Sequence, residues 1–321
     1  LSFAVSIAGF IQLIFLVFVT KFYYKPTINF KINLNPRVKF FFKKLLPSIF
    51  SSGVTQINIL IGTIIASFES GAVSYLYYAD RVYQINLAIA GIAIGTVALP
   101  VLSNKIKSGD QFEINNIQNK SLELSLLLSI PAAFGLLIAS IEIVNALFGY
   151  GSFKEGDILL TAKALYFFGL GIPAFSLVKI LSNFFFARDN TKTPFYISVI
   201  TVAVNVLISL SFFNSYGFVI IPIATSISAW FAVLMYFILL IKLKYFQFSL
   251  DFLKNCLKIL ISTLVMSVLL NFFLNIFEDK LIYSNNFKSI YLIMIVVVSA
   301  GAYLLIAKIL GVFKIKNFKI N

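Results

Sequence analysis

Long apolar runs, each closed by a short polar or charged stretch, recur along the chain. About 20 apolar residues in a helix cross the hydrocarbon of a bilayer. The pattern predicts helical spans at roughly 1–20, 44–67, 74–101, 119–140, 158–186, 194–214, 218–241, 255–275 and 288–310. The expected fold class is all-α, a polytopic helical membrane protein of about nine transmembrane helices.

Irregularities inside the runs refine this picture. Pro131 falls in the fourth span, Gly169, Gly171 and Pro173 ("GLGIPAF") in the fifth, and Pro222 near the start of the seventh. A proline frees a carbonyl one turn back and kinks its helix. Neighbouring helices can satisfy that carbonyl, or the kink can serve as a transporter hinge. In the second span Ser52, Gln56 and Thr63 fall near one face. They suit hydrogen bonding between helices or the lining of a cavity. The last two spans have almost no ionisable residues away from their ends. They read as lipid-facing helices or as a groove for something lipid-like.

Composition agrees. The chain is 60% hydrophobic and 12% charged, with a mean hydropathy of +0.96, against about a quarter charged for soluble domains. It has 1 Cys and 0 His. An internal disulfide, a His-ligated zinc site and a Ser-His-Asp triad are excluded, so an enzyme is not expected. No Walker loop or selectivity-filter signature appears, and no cofactor is called for.

The net charge of +14 changes meaning in a membrane chain, where cytoplasmic loops collect Lys and Arg. Most basic residues lie in the segments 21–44, 102–120, 187–193 and 242–258 and at the C-terminal end, all on one side if the spans alternate. The opposite loops carry Glu69, Glu142, Glu155, Asp157, Glu278 and Asp279. The basic side is expected to be cytoplasmic, and the charge to serve topology or anionic lipid headgroups and not nucleic acid. The chain opens on Leu1 and is apolar almost at once, so it is expected to be part of a longer protein.

Within this apolar background "SYLYYADRVYQIN" (74–86) places Asp80 beside Arg81. A charge at the centre of a membrane helix costs about 2.5–3.5 kcal/mol, so such residues face a wet cavity, form a structural pair, or snorkel. "ARDNTKTP" (187–194) reads as a stop and restart, with Thr193 as a cap and Pro194 in the first turn of the next helix. Arg188 and Lys192 are either structural or a phosphate contact at the cytoplasmic mouth.

Three stretches carry a family resemblance: "YLYYADRVYQINLAIAGIAIGTVALPVLS" (75–103), "LPSIFSSGVTQINILIGTIIAS" (46–67) and "GLGIPAFSLVKILSNFFFARDNTKTP" (169–194). Together, in order and spacing, they resemble the MurJ/MviN family of bacterial lipid II flippases. The resemblance implies two six-helix lobes around a central cavity, plus two extra helices forming a lipid-tail groove, within the multidrug/oligosaccharidyl-lipid/polysaccharide exporter superfamily. On that pattern 1–43 is the last helix of the first lobe with a basic linker. The second lobe is 44–242, the two extra helices and a basic tail are 243–321, and roughly five helices precede Leu1.

The resemblance also implies site residues. Arg81 matches the cavity arginine, Asp80 its acidic partner and Ser74 a functional polar position, with Gln84 and Gln56 as further substrate-binding candidates. At Gln84 some relatives carry Glu, so an acidic role does not transfer. Of a sodium site found in some members this chain keeps Asn205 and Thr225 but has Gly62 and Ser209 in place of acids, a weak set for a hard cation. The implied cargo is lipid II, an undecaprenyl-diphosphate-linked disaccharide-pentapeptide, handled among membrane lipids in the bacterial inner membrane without covalent chemistry. Rival readings are a drug or polysaccharide-lipid exporter of the same superfamily, and a non-transporting scaffold whose partners are other cell-wall synthesis proteins.

Overall fold

The computed structural model describes residues 2–24, 35, 36, 38, 39, 42 and 56–312. The expectations for Ser52, for most of the 21–44 linker and for the C-terminal lysines past Val312 lie outside the described residues. The chain divides into two compact units, Leu1–Leu45 and Leu46–Asn321. In the first, α1 (Ser2–Tyr23) is apolar around most of its circumference and carries Lys21 in its last turn.

The second unit runs α2 (Gln56–Ala66), α3 (Ala72–Leu87), a π-helix (Ala88–Ala93), α4 (Ile94–Ser108), α5 (Gln111–Ile138) and α6 (Ser140–Phe148). It continues with α7 (Glu155–Phe186), α8 (Lys192–Tyr216), α9 (Ile220–Lys242), α10 (Leu250–Ile276) and α11 (Lys288–Ile309). The chain is a multi-pass helical membrane protein. Among the described residues seven stretches are long and apolar enough to cross a membrane, and one of them, Lys192–Lys242, folds as the two helices α8 and α9. Of the second expected span, Gln56–Ala66 is described, which is short of a full crossing.

Helix α7 is the hub, with α3, α4, α5, α6 and α9 packed around it. Some 67% of its apolar window is buried, against 28% for the stretch from α3 to α4 and for α11. Sequence explains this: Ala162, Ala164, Gly169, Gly171 and Ala174 are buried and small, letting neighbours approach closely. The carbonyl that Pro173 leaves without a helical donor is that of Gly169, and the bonds from the neighbouring helix fall on carbonyls beside it. Around Pro173, α9 donates to α7 carbonyls, from Ser226 Oγ to Phe167 O at 2.7 Å and from the Trp230 indole to Leu170 O at 3.0 Å.

Each end of the unit is tied by polar bonds. At the end bearing the acidic loops, Phe218 N donates to the Glu69 carboxylate at 2.7 Å, joining two turns. The Tyr75 hydroxyl donates to Asp157 at 3.0 Å, and Asn145 to Leu281 O at 2.8 Å. At the basic end Asn119 bridges Gln247 O and Ser249 N. Helices α10 and α11 pack on α5, where Leu127, Ile259, Met266, Tyr303 and Ala307 form one cluster, and on the α6 region, where Ala139 and Ala146 meet Leu270, Leu274, Leu292 and Ile295.

Candidate functional site: an arginine on an open helix face

Helix α3 starts from Gly71, whose left-handed backbone (φ +79°) turns the chain out of the preceding bend. Ala72, Ala79 and Val82 are buried. Ser74, Tyr77, Arg81 and Gln84 recur at helical spacing on another face and are exposed. The structure therefore brings three of the expected site residues onto one polar stripe, and adds Tyr77.

Arg81 Nη2 donates to the Tyr77 hydroxyl at 2.8 Å, and its guanidinium lies 4.7 Å from the centre of that ring. The cation–π contact and the bond hold the fork in place one turn back along the helix. Asp80, half-exposed, accepts from Gln84 Nε2 one turn forward. Adjacent residues point about 100° apart on a helix, and each of the two charges has its partner along its own row. Arginine offers five donors in a planar fork; among the described residues Tyr77 accepts one of them. The arrangement suits a bidentate phosphate or carboxylate.

Beyond the stripe the helix widens into the π-helix, a feature frequent at functional sites. Here it meets α7 at very short range. A Cβ on Gly91 would lie 3.0 Å from Ser176 Cα, and one on Gly95 would lie 2.7 Å from Asn183 Nδ2. That nitrogen donates to Gly95 O at 2.9 Å. The small pair four residues apart thus anchors the arginine-bearing helix on the buried hub.

The other expected residues are placed as follows. Gln56 is exposed on α2, and no contact among the described residues joins it to the stripe. Asn205, Ser209 and Thr225 do come together, with Ser228 as a fourth member. Asn205 Nδ2 donates to Thr225 Oγ1 at 3.1 Å and to Ser228 Oγ at 3.4 Å, and Ser209 Oγ donates to Asn205 Oδ1 at 3.3 Å. Gly62 packs on Ile221, one turn from Thr225. The cluster is neutral and bonded to itself.

Arg188 and Lys192 separate. Arg188 donates to Phe184 O at 2.8 Å and Tyr245 O at 3.0 Å, and stacks on the Tyr245 ring at 4.4 Å. Burial lowers its pKa from the ordinary arginine value, and its geometry is that of a brace. Lys192 is exposed. The cap expected of Thr193 is supplied by Asn190, whose Oδ1 accepts from Thr193 N at 3.1 Å; Pro194 lies in the first turn of α8 as expected.

Sequence reasoning missed Tyr77, Ser228 and Lys288. The signal for Tyr77 was its position four before Arg81. Lys288 is 1% exposed, its ammonium donating to Gly149 O at 2.6 Å and Tyr283 O at 2.8 Å.

A family model described as "Lipid II flippase MurJ" matches residues 1–307. A probable lipid II flippase MurJ of Rhizobium meliloti (strain 1021) is 41% identical over 242 residues, covering 75% of this chain and 45% of the relative. One of Rhizobium tropici is 33% identical over 314 residues, covering 97% and 59%. The chain thus spans about half the length of these curated relatives. Among solved structures, "Lipid II flippase MurJ, inward closed conformation" superposes with a TM-score of 0.70 at 28% identity, over 88% of this chain and 56% of that one. A second solved structure, "Crystal structure of MATE in the straight conformation", superposes with a TM-score of 0.55 at 16% identity, over 82% of this chain and 62% of that one, a likeness of fold alone.

Proposed function

The chain belongs to the lipid II flippase MurJ family, and from that premise we propose that the full-length protein moves lipid II from the inner to the outer leaflet of the bacterial cytoplasmic membrane for cell-wall synthesis. The physical problem is a large polar headgroup that hydrocarbon excludes. Alternating access by two lobes around a wet cavity solves it without covalent chemistry. The observation that carries the reading is the open stripe of α3, where Tyr77 presents the Arg81 fork on an exposed face of a membrane helix. Arg81 would hold the diphosphate, Asp80 and Gln84 would offset or orient it, and Ser74 would extend the polar track. The apolar flanks of α10 and α11 suit the polyprenyl tail, and the acidic loops would lie outside. Other cell-wall synthesis proteins are fitting partners for the exposed loops.

The test is rescue. The full-length protein is expressed in cells depleted of their own flippase, and lipid II is assayed in each leaflet. Restored export is expected; lipid II trapped inside at normal abundance of the protein would overturn the reading.

A further inference from the structure

At the acidic end of the unit an aromatic hollow of about 400 Å³ is lined by Tyr78, Leu147, Phe148, Tyr150, Ser152 and Phe153. It is linked to the arginine stripe by rings in series. The Arg81 guanidinium lies on Tyr77, and the Tyr77 and Tyr78 rings are 6.2 Å apart. Tyr78 in turn meets Phe148 at 4.8 Å and Phe153 at 5.2 Å. The far wall is fixed by Lys288. Its buried ammonium sits 4.3 Å from the Tyr150 ring centre and 4.8 Å from that of Tyr283. The Tyr150 hydroxyl bonds Ser289 Oγ at 2.6 Å.

We propose that this hollow is where a sugar ring of the headgroup rests beyond the arginine. The proposal builds on the flippase reading and adds a saccharide subsite to it. A pyranose has an apolar C–H face and a hydroxyl rim, which matches ring faces edged by the hydroxyls of Tyr150 and Ser152. The volume falls within the ~300–1,000 Å³ range of small-ligand sites. An acyl tail fits less well, because a loop past the end of α6 builds one wall. A phosphate fits less well too, because the cation behind that wall is already bonded to two carbonyls.

A benzophenone amino acid is placed in the full-length protein at Ser152, at Leu147 or, on the stripe, at Ile85. Radiolabelled lipid II and radiolabelled undecaprenyl diphosphate are the probes. Ser152 and Leu147 should capture lipid II several-fold better than the sugarless lipid, while Ile85 captures both. Phe153→Ala should lower capture at Ser152 about two- to tenfold, the worth of one ring contact. Ser152→Trp, which fills the hollow from an exposed loop, should block capture at Leu147 and leave Ile85 unchanged. Equal capture of both lipids at Ser152, or capture at Ile85 alone, would overturn the sugar subsite and leave the flippase reading standing. Capture at none of the three would overturn both.

Discussion

The hydroxyl of Tyr303 on α11 donates to the carbonyl of Leu127 on α5 at 2.6 Å, and Leu127 is the residue whose helical donor Pro131 removes. One helix supplies what a proline takes from another, across one of the contacts that hold the last two helices in the unit. Tyr303→Phe should leave that buried carbonyl unsatisfied and cost about 1–3 kcal/mol, read as thermal unfolding of the full-length protein in detergent. In a Pro131→Ala background, where the α5 amide returns, the same change should cost clearly less. Equal costs in both backgrounds would show that the bond does not compensate the proline.

The close approach of α4 and the π-helix to α7 makes a second prediction. Gly91→Val should destabilise by about 1–3 kcal/mol, because the first added carbon already meets Ser176 backbone at 3.0 Å. Gly301→Ala on α11 meets nothing within 4 Å and should change stability by less than about 0.5 kcal/mol. Similar unfolding temperatures for the two variants would remove the anchoring role of Gly91.

The neutral cluster of Asn205, Ser209, Thr225 and Ser228 should give sodium no stabilising effect over potassium. Gly62→Asp has room, since its Cβ would sit 3.6 Å from Ile221 Cγ2, and it should introduce sodium dependence. At tenfold excess over its dissociation constant the ion would add about 1.4 kcal/mol. A sodium-dependent rise in the unmodified protein, abolished by Asn205→Ala, would contradict this.

The sequence was most legible in its long apolar runs, which fold as helices of membrane-crossing length. Ser74, Arg81 and Gln84 were named through the family resemblance, and the structure sets them on one exposed face of α3. Tyr77 was not named, because an aromatic in such a span reads as core until its hydroxyl is seen to meet Arg81. Helix ends were misjudged for a related reason. Hydropathy reports where hydrocarbon is crossed, whereas helices persist into water: α4 runs to Ser108 and α5 begins at Gln111, both well past the apolar runs. The segment 141–157, read as loop, contains most of α6, whose nine residues (Ser140–Phe148) are too few to cross a membrane. A structural role for Arg188 was one of the two readings left open, but its partners, the carbonyls of Phe184 and Tyr245, are not visible in composition.

Topology is open to direct measurement. Cysteines placed at Ser152 and at Asp279 should react with an impermeant maleimide from outside, and one at Lys244 should not. The native Cys256 is half-buried and is replaced first. Labelling of Lys244 and not of Ser152 would invert the orientation and move the acidic end to the cytoplasm.

The central claim is that the Arg81 fork, steadied by Tyr77, holds the diphosphate of the cargo. The most direct measurement is lipid II export in flippase-depleted cells carrying full-length variants at equal membrane abundance. Arg81→Ala should abolish export. Arg81→Lys should restore it only in part, because an ammonium lacks the bidentate fork, and Asp80→Asn should be milder than either. Normal export and normal growth with Arg81→Ala would contradict the account.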